Sequence, residues 1–391
     1  MGKADKTERN SLWVMGLAGF SSMVSMRMCD SMLVVLGQEF QVSTGEASQV
    51  VSVFAVVYGL MQLLYGPLGD RFGKLRVITI AATACAIFSG ITSLVSSLTM
   101  LVLMRVLMGA TAAGIIPLSL AWIGDQVAYD RRQETLAKLM GATVSGMMVG
   151  LWFGGFAAEN LGWRTAFVVV SAFFAIAAVF LWRKVLNMPA PAPATTGFMG
   201  AFAKTFELIR SRRVQMVLSA SILEGALIFG AMAFIPTHLH EQFDMSVVFA
   251  GTVMMLYGVG GLTYSQFARR WLGWLGGERG LVRTGASMIV LGLLTLAWTH
   301  QPALGMLACF STGFGFYMMH NTLQTQATQM APHARGTAVT LFACMLFFGQ
   351  SAGVVTMSFA VDQGWLPYGF SLCALGVAFL GAFVHRLVGQ H

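Results

Sequence analysis

Ionisable residues interrupt several stretches of sequence that are otherwise apolar. Arg27 and Asp30 lie in the first such stretch, Arg105 in the fourth, Glu224 in the seventh and His320 in the tenth. A charge in a water-free environment is costly, so residues of this kind are rare and are usually functional. A buried carboxyl can bind and release a proton, and a nearby cation stabilises its charged form. These residues therefore predict proton transfer linked to recognition of a small ligand.

Arg27, Asp30 and Arg105 are expected to lie at a common depth. At a rise of about 1.5 Å per residue, all three lie roughly 9 to 14 Å below the outer ends of their helices. Arg27 and Asp30 are also three residues apart and share one helix face. One interpretation is an ion pair that exchanges a proton when substrate or conformation weakens it. The other is a static pair that holds the first and fourth helices together.

Glu224 and the polar residues of the tenth helix form a second candidate group. Glu224 lies about 18 Å from the outer end of its helix, near the midplane, and its own helix offers it no cation. It is either a proton carrier or a hydrogen-bonded structural acid. His320, Asn321 and Gln324 predict a polar face that lines a cavity, with a titrating relay at His320 as the less favoured alternative.

The elements that must position these residues are membrane helices. Of 391 residues, 56% are hydrophobic and 10% charged, whereas a soluble chain is roughly 25% charged. Apolar runs long enough to span a bilayer can be drawn twelve times. They cover 12–36, 46–65, 77–97, 99–122, 137–158, 164–183, 215–236, 246–267, 283–300, 303–329, 336–360 and 366–387. The prediction is an all-α integral membrane protein.

The positions of the basic residues predict the orientation. Of the 24 lysines and arginines, all except Arg27, Arg105 and Arg164 lie in the termini or in alternate loops. Cationic loops remain on the cytoplasmic side, so both termini are expected there. This placement explains the net charge of +8 without a nucleic-acid partner.

The two halves of the chain repeat each other. Gly146 and Gly150 follow Arg132 by 14 and 18 residues, and Gly349 and Gly353 follow Arg335 by the same spacings. We interpret 1–184 and 215–391 as pseudo-symmetric six-helix bundles, an arrangement that lets two halves rock about a central site. Residues 185–214 are interpreted as a cytoplasmic linker. Its segment from Phe198 to Arg213 is read as an amphipathic helix on the inner leaflet, or alternatively as a disordered linker.

A basic turn separates the second and third apolar runs. It reads Gly66-Pro67-Leu68-Gly69-Asp70-Arg71-Phe72-Gly73-Lys74. Pro67 and Gly69 are expected to end the second helix, and Gly73 to reverse the backbone. The pattern resembles the loop between helices 2 and 3 of the major facilitator superfamily of secondary transporters. That resemblance implies that Asp70 contacts helix 11 in the outward-open state, and that Arg71 and Asp125 join a cytoplasmic charge network.

Two further motifs agree with this family. Gly146, Gly150, Gly154 and Gly155 match the glycines of a helix 5 motif of drug:proton antiporters, although Leu151 replaces the family's proline. The alternative interpretation is that these glycines serve only the close packing of helices. Arg105-Val-Leu-Met-Gly109 resembles a helix 4 motif whose arginine the family links to proton transfer. The resemblance implies the twelve-helix branch of drug and sugar efflux proteins.

The residues and the resemblance together predict proton-coupled efflux of small amphipathic or drug-like molecules by alternating access. The alternatives are a proton symporter for a small organic anion, with Arg27 and Arg105 as recognition groups, and a transporter-like sensor without flux. The sequence has no nucleophile, phosphate-loop or metal motif that would indicate an enzyme, and no cofactor or metal is expected. The expected partners are substrate, protons and the lipid bilayer. A monomer in a bacterial-type inner membrane is expected.

Overall fold

The computed structural model describes residues 3–188, 207–332 and 334–389. Within these ranges, twelve helices are long and apolar enough to cross a membrane, and we number them α1 to α12. The predicted all-α membrane fold is confirmed. Because the number of spans is even, both ends of the chain lie on one side of the bundle. We call this the terminal side and the opposite one the distal side.

Six membrane helices form the first half. They are α1 (Lys3–Arg27, continued by a 3-10 turn at Met28–Ser31 and by Leu33–Phe40), α2 (Thr44–Ala47 and Gln49–Phe72), α3 (Lys74–Thr92), α4 (Leu98–Ala112 and Ile115–Gln126), α5 (Tyr129–Asn160) and α6 (Trp163–Val185).

The second half repeats the pattern. Its helices are α7 (Arg212–Glu224, a π-turn at Gly225–Phe229, Gly230–Met232 and Ile235–Phe243), α8 (Val247–Trp274), α9 (Glu278–Trp298), α10 (Pro302–Gln329), α11 (Arg335–Asp362) and α12 (Leu366–Val388).

The end of α2 differs from the prediction. The helix does not stop at Pro67 or Gly69 but continues to Phe72, with Pro67 inside it. Proline fits a helical φ and removes only one backbone hydrogen bond, so one more turn can follow it here. Gly73 does end the helix, at a φ of 87° that favours glycine.

The first nine of the sixteen residues of the proposed linker helix lie outside the described residues. Of the segment from Phe198 to Arg213, residues 207–209 are helical, and α7 begins at Arg212. The division into 1–184, 185–214 and 215–391 therefore stays an interpretation.

Glycines let α1 pack closely on α5, and α7 on α11. A Cβ placed on Gly150 would lie 2.9 Å from the carbonyl oxygen of Val24, and Gly146 and Gly154 approach α1 in the same way. In the second half, Gly349 and Gly353 face the α7 backbone at Ile222 and Ala226. The repeated spacing read from the sequence thus corresponds to a repeated helix contact.

Irregular turns accompany both candidate acids. Asp30 belongs to the 3-10 turn that follows Arg27. Glu224 directly precedes the π-turn of α7. Such turns are often found at functional sites because they redirect side chains within a helix.

Candidate functional site

Arg27 and Asp30 form an ion pair inside the first half. Arg27 Nη1 donates to Asp30 Oδ2 across 3.1 Å, and the two side chains are 2% and 0% exposed. The other carboxylate oxygen, Oδ1, is buried and has no hydrogen-bond partner among the described residues. A buried pair that is incompletely satisfied is costly to hold, so a change in its surroundings can readily alter its protonation.

Arg105 joins α4 to its neighbours without an acid in direct contact. Its Nη1 donates to the carbonyl oxygen of Ser25 in α1 (2.8 Å), and its Nε donates to that of Val50 in α2 (2.9 Å). The guanidinium also lies 4.1 Å from the centre of the Phe54 ring. Arg105 is fully buried. These charge-assisted hydrogen bonds give Arg105 a structural role, because they join α4 to α1 and α2.

This arrangement of Arg105 yields a stability prediction. Lysine has no guanidinium fork, so Arg105→Lys cannot keep both carbonyl contacts and the stacking on Phe54. We expect the free energy of unfolding to fall by about 1 to 3 kcal/mol. Thermal unfolding of the purified variant, beside Arg279→Lys as a surface control, would measure the loss. An unchanged melting temperature would contradict this structural role of Arg105.

Glu224 finds its partner in another helix. His320 Nδ1 lies 3.0 Å from Glu224 Oε2 and connects α10 to α7. Glu224 is fully buried, and its Oε1 has no hydrogen-bond partner among the described residues, whereas His320 is 16% exposed. The pair thus joins a fully buried carboxyl group to an imidazole that is partly exposed.

Aromatic side chains connect the two ionic pairs. The Arg27 guanidinium lies 4.6 Å from the centre of the Phe229 ring, in the π-turn of α7. Phe229 contacts Phe316 at 5.1 Å between ring centres, and Phe316 stacks on His320 at 4.9 Å. The ionic pair of each half thus contacts the same aromatic cluster at the interface between the halves.

Tyr257 adds a hydroxyl group to this cluster. Its ring centre lies 5.8 Å from that of Phe316. Its hydroxyl oxygen is buried and unpartnered among the described residues. Sequence analysis missed both Tyr257 and Phe316 as site residues, since an aromatic residue in an apolar helix has no distinguishing signal. The three rings are buried, and a cluster of rings with a few polar atoms has the composition typical of sites for amphipathic ligands.

The remaining polar residues predicted on α10 lie near His320. Gln324 is exposed one turn further toward the terminal side, and Asn321 is partly buried. Neither adds a charge to the cluster.

Lys74 pairs with two acids at the basic turn. Its Nζ lies 3.3 Å from Asp70 Oδ1 and 2.6 Å from Asp125 Oδ2 at the end of α4. Asp70 is 63% exposed. The Arg71 guanidinium lies 5.3 Å from the ring centre of its neighbour Phe72. In this conformation Asp70 is thus bound within its own half.

A carboxylate closes the contact between α11 and α2 on the distal side. Asp362, the last residue of α11, accepts a hydrogen bond from the Gly45 amide (2.8 Å) and another from the Ser43 hydroxyl (2.8 Å). Gly45 lies in the first turn of α2, where free amides and the helix dipole favour an anion.

The same contact occurs between α5 and α8. Glu159, at the end of α5, accepts a hydrogen bond from the Val248 amide in the first turn of α8 (2.8 Å). Glu159 and Asp362 are 203 residues apart, and so are Val248 and Gly45. We call these two contacts the distal latches. Both join one half of the molecule to the other.

The family model for the Major Facilitator Superfamily matches residues 15–354, most of the chain. The chain belongs to this superfamily. The superfamily consists of membrane transporters, and this chain is accordingly a carrier of small molecules and not an enzyme.

Two bacterial proteins match this chain over different lengths. An uncharacterized transporter, YceJ of Bacillus subtilis (strain 168), is 25% identical over 361 residues, which cover 90% of this chain and 89% of that protein. The multi-drug resistance efflux pump PmrA of Streptococcus pneumoniae serotype 4 is 32% identical over 133 residues, 34% of this chain and 33% of that protein.

A solved structure shows the superfamily fold at low sequence identity. The crystal structure of the nucleoside transporter NupG superposes with a TM-score of 0.76 at 14% identity, covering 97% of this chain and 98% of that one. At this identity the likeness concerns the fold alone.

Proposed function

We propose that this superfamily member exports small amphipathic or drug-like molecules in exchange for protons. The observation that carries the proposal is the pairing of two buried acids, one with an arginine and one with a histidine, around one aromatic cluster. Asp30 is held by Arg27 in the first half, and Glu224 by His320 in the second. Each acid retains one unpartnered oxygen among the described residues, so a proton or a ligand group can bind there.

Drug-like substrates are the class that the surroundings favour. Phe229, Phe316 and Tyr257 supply the apolar area on which a hydrophobic ligand gains most of its affinity. The partial similarity to a multidrug efflux pump supports the same class. Arg105 donates from Nε and Nη1 to backbone carbonyls, while its Nη2 has no partner among the described residues, so symport of a small anion stays the alternative function.

Alternating access would exchange one set of contacts for another. In the present conformation the distal latches join the halves, while Asp70 pairs with Lys74. These observations support a state that is open toward the terminal side. With both termini in the cytoplasm, as the basic loops favour, that state faces inward.

A transport assay tests the function. The purified protein is placed in proteoliposomes with a lumenal pH dye and is offered lipophilic cations, neutral drugs, sugars and organic anions. Protons that leave the lumen as a cation or neutral drug enters would support antiport. Protons that enter with an anion would instead indicate symport. Ligand binding without flux would indicate a sensor.

Asp70 yields a prediction about cycling. We propose that it leaves Lys74 in the outward-open state and binds the start of α11, as the family resemblance implies. Asp70→Asn should then slow substrate exchange by about tenfold, because the neutral amide interacts weakly with a helix N-terminus. Substrate affinity, measured by equilibrium binding, should remain unchanged. Glu134→Gln, which removes an exposed acid paired with Lys138, serves as the control. An equal loss of binding would refute the gating role.

A further inference from the structure

A groove on the outer surface of the second half has the features of a lipid site. It lies between α9 and α12 and has a volume of about 570 Å³, within the range of roughly 300 to 1,000 Å³ typical of ligand pockets. Small side chains at Ala286, Ala378 and Ala382 line it, and Arg283 and His385 stand at its terminal end. We propose that this groove binds one anionic phospholipid, with an acyl chain along the alanines and the phosphate at Arg283.

The shape of the groove follows from the sequence of its two helices. Gly381 lets α12 approach α9, since a Cβ placed there would lie 2.5 Å from that of Ala286. Ala378 and Ala382 are exposed and lie one turn apart on the outer face of α12. Because these side chains are short, a channel remains open along the crossing. Leu291 continues the apolar wall toward the distal side.

The first half bridges the same crossing with a tryptophan. There Trp182 of α6 reaches across to α3, and its Nε1 donates to Thr83 Oγ1 (2.9 Å). The corresponding residues of the second half are His385, 203 positions later, and Ser287, 204 positions later. His385 instead lies near the carbonyl oxygen of Arg279 (Nδ1 to O, 3.3 Å). The second half therefore has open space beside Ser287 where the first half has the tryptophan hydrogen bond.

The charge at the end of the groove fits a phosphate. Arg283 is exposed and makes no hydrogen bond or ion pair with any residue in 3–188, 207–332 or 334–389. It stands beside apolar lining at the level where α9 begins and α12 ends, which is the headgroup region on the terminal side. Basic pockets between membrane helices at this level bind anionic headgroups. An apolar groove open to the bilayer adds the acyl-chain contact that a free anion lacks.

The test measures binding of defined lipids to the full-length protein in detergent. Native mass spectrometry would count dioleoyl phosphatidylglycerol and dioleoyl phosphatidylcholine bound to the unmodified protein, and thermal unfolding would report stabilisation by each lipid. We expect one phosphatidylglycerol to bind in preference to phosphatidylcholine. Arg283→Gln should weaken that binding about tenfold, the usual effect of losing one charge-assisted contact.

Two further variants separate the groove from general surface charge. Ala382→Trp should fill the groove and remove the preferred lipid while leaving Arg283 in place. Arg183→Gln removes an exposed cation at the corresponding level of α6 and should leave the binding unchanged. Equal binding of both lipids, equal effects of Arg283→Gln and Arg183→Gln, or equal stabilisation by inorganic phosphate would each overturn the proposal. Because the assay involves no transport, its failure leaves the proposed efflux activity untouched.

Discussion

Replacing either buried acid by its amide should abolish proton-driven transport. Asp30→Asn and Glu224→Gln keep the size of the side chain but cannot release a proton at working pH. We expect uphill accumulation of substrate to fall by about a hundredfold or more, the scale on which loss of a positioned acid or base acts. Counterflow, which exchanges substrate for substrate without net proton movement, should continue in both variants. Transport into proteoliposomes with and without a pH gradient measures the two activities separately.

The controls for this experiment come from the same chain. Glu134→Gln removes an exposed acid far from the cluster and should accumulate substrate normally. His320→Gln tests the partner of Glu224 and should impair accumulation without abolishing it, because Gln can still donate to the carboxylate. If both Asp30→Asn and Glu224→Gln retain uphill transport, the proton carrier lies elsewhere.

Releasing the distal latches should shift the conformational equilibrium toward the outward-open state. In the double variant Glu159→Gln with Asp362→Asn, neutral amides replace the carboxylates that cap α8 and α2. Both carboxylates are exposed, so each contact is worth about 1 kcal/mol, at the lower end for a charged acceptor. Losing both should raise the outward-open population by roughly thirtyfold.

Distances between spin labels on the distal side would measure this shift. Gln38 and Gln301 are exposed there, one in each half, and cysteines at these positions can carry the labels. Glu39→Gln is a matched control, because Glu39 pairs with Arg164 inside the first half (2.8 Å). The single variants should each give part of the effect. A distance distribution that is identical in the double variant and in Glu39→Gln would contradict the latch.

The sequence contains enough information to predict the helices and the first ionic pair. Apolar runs define membrane spans regardless of tertiary context, because every backbone group in a bilayer must be paired within a helix. Arg27 and Asp30 are neighbours by helical spacing alone. The predicted end of α2 at Pro67 or Gly69 is wrong, because proline fits inside the helix there and the positive φ of Gly73 ends it.

Contacts between distant segments could not be predicted in the same way. Glu224 and His320 are 96 residues apart, and no spacing in the sequence relates their two helices or indicates the π-turn that follows Glu224. Glu159 and Asp362 resembled solvated loop acids. The 203-residue repeat that relates Gly146 to Gly349 also relates Glu159 to Asp362. Only the structure shows which backbone amides donate to these two carboxylates.

Competition between substrate and protons for the acids at the aromatic cluster is the step on which the proposed antiport depends. Its most direct test is to add substrate to the purified protein in lightly buffered detergent solution and to record the protons released. We predict release by the unmodified protein, and a reduced or absent release by Asp30→Asn or Glu224→Gln at matched occupancy. Substrate binding that releases no protons at any pH between 5 and 9 would contradict the account.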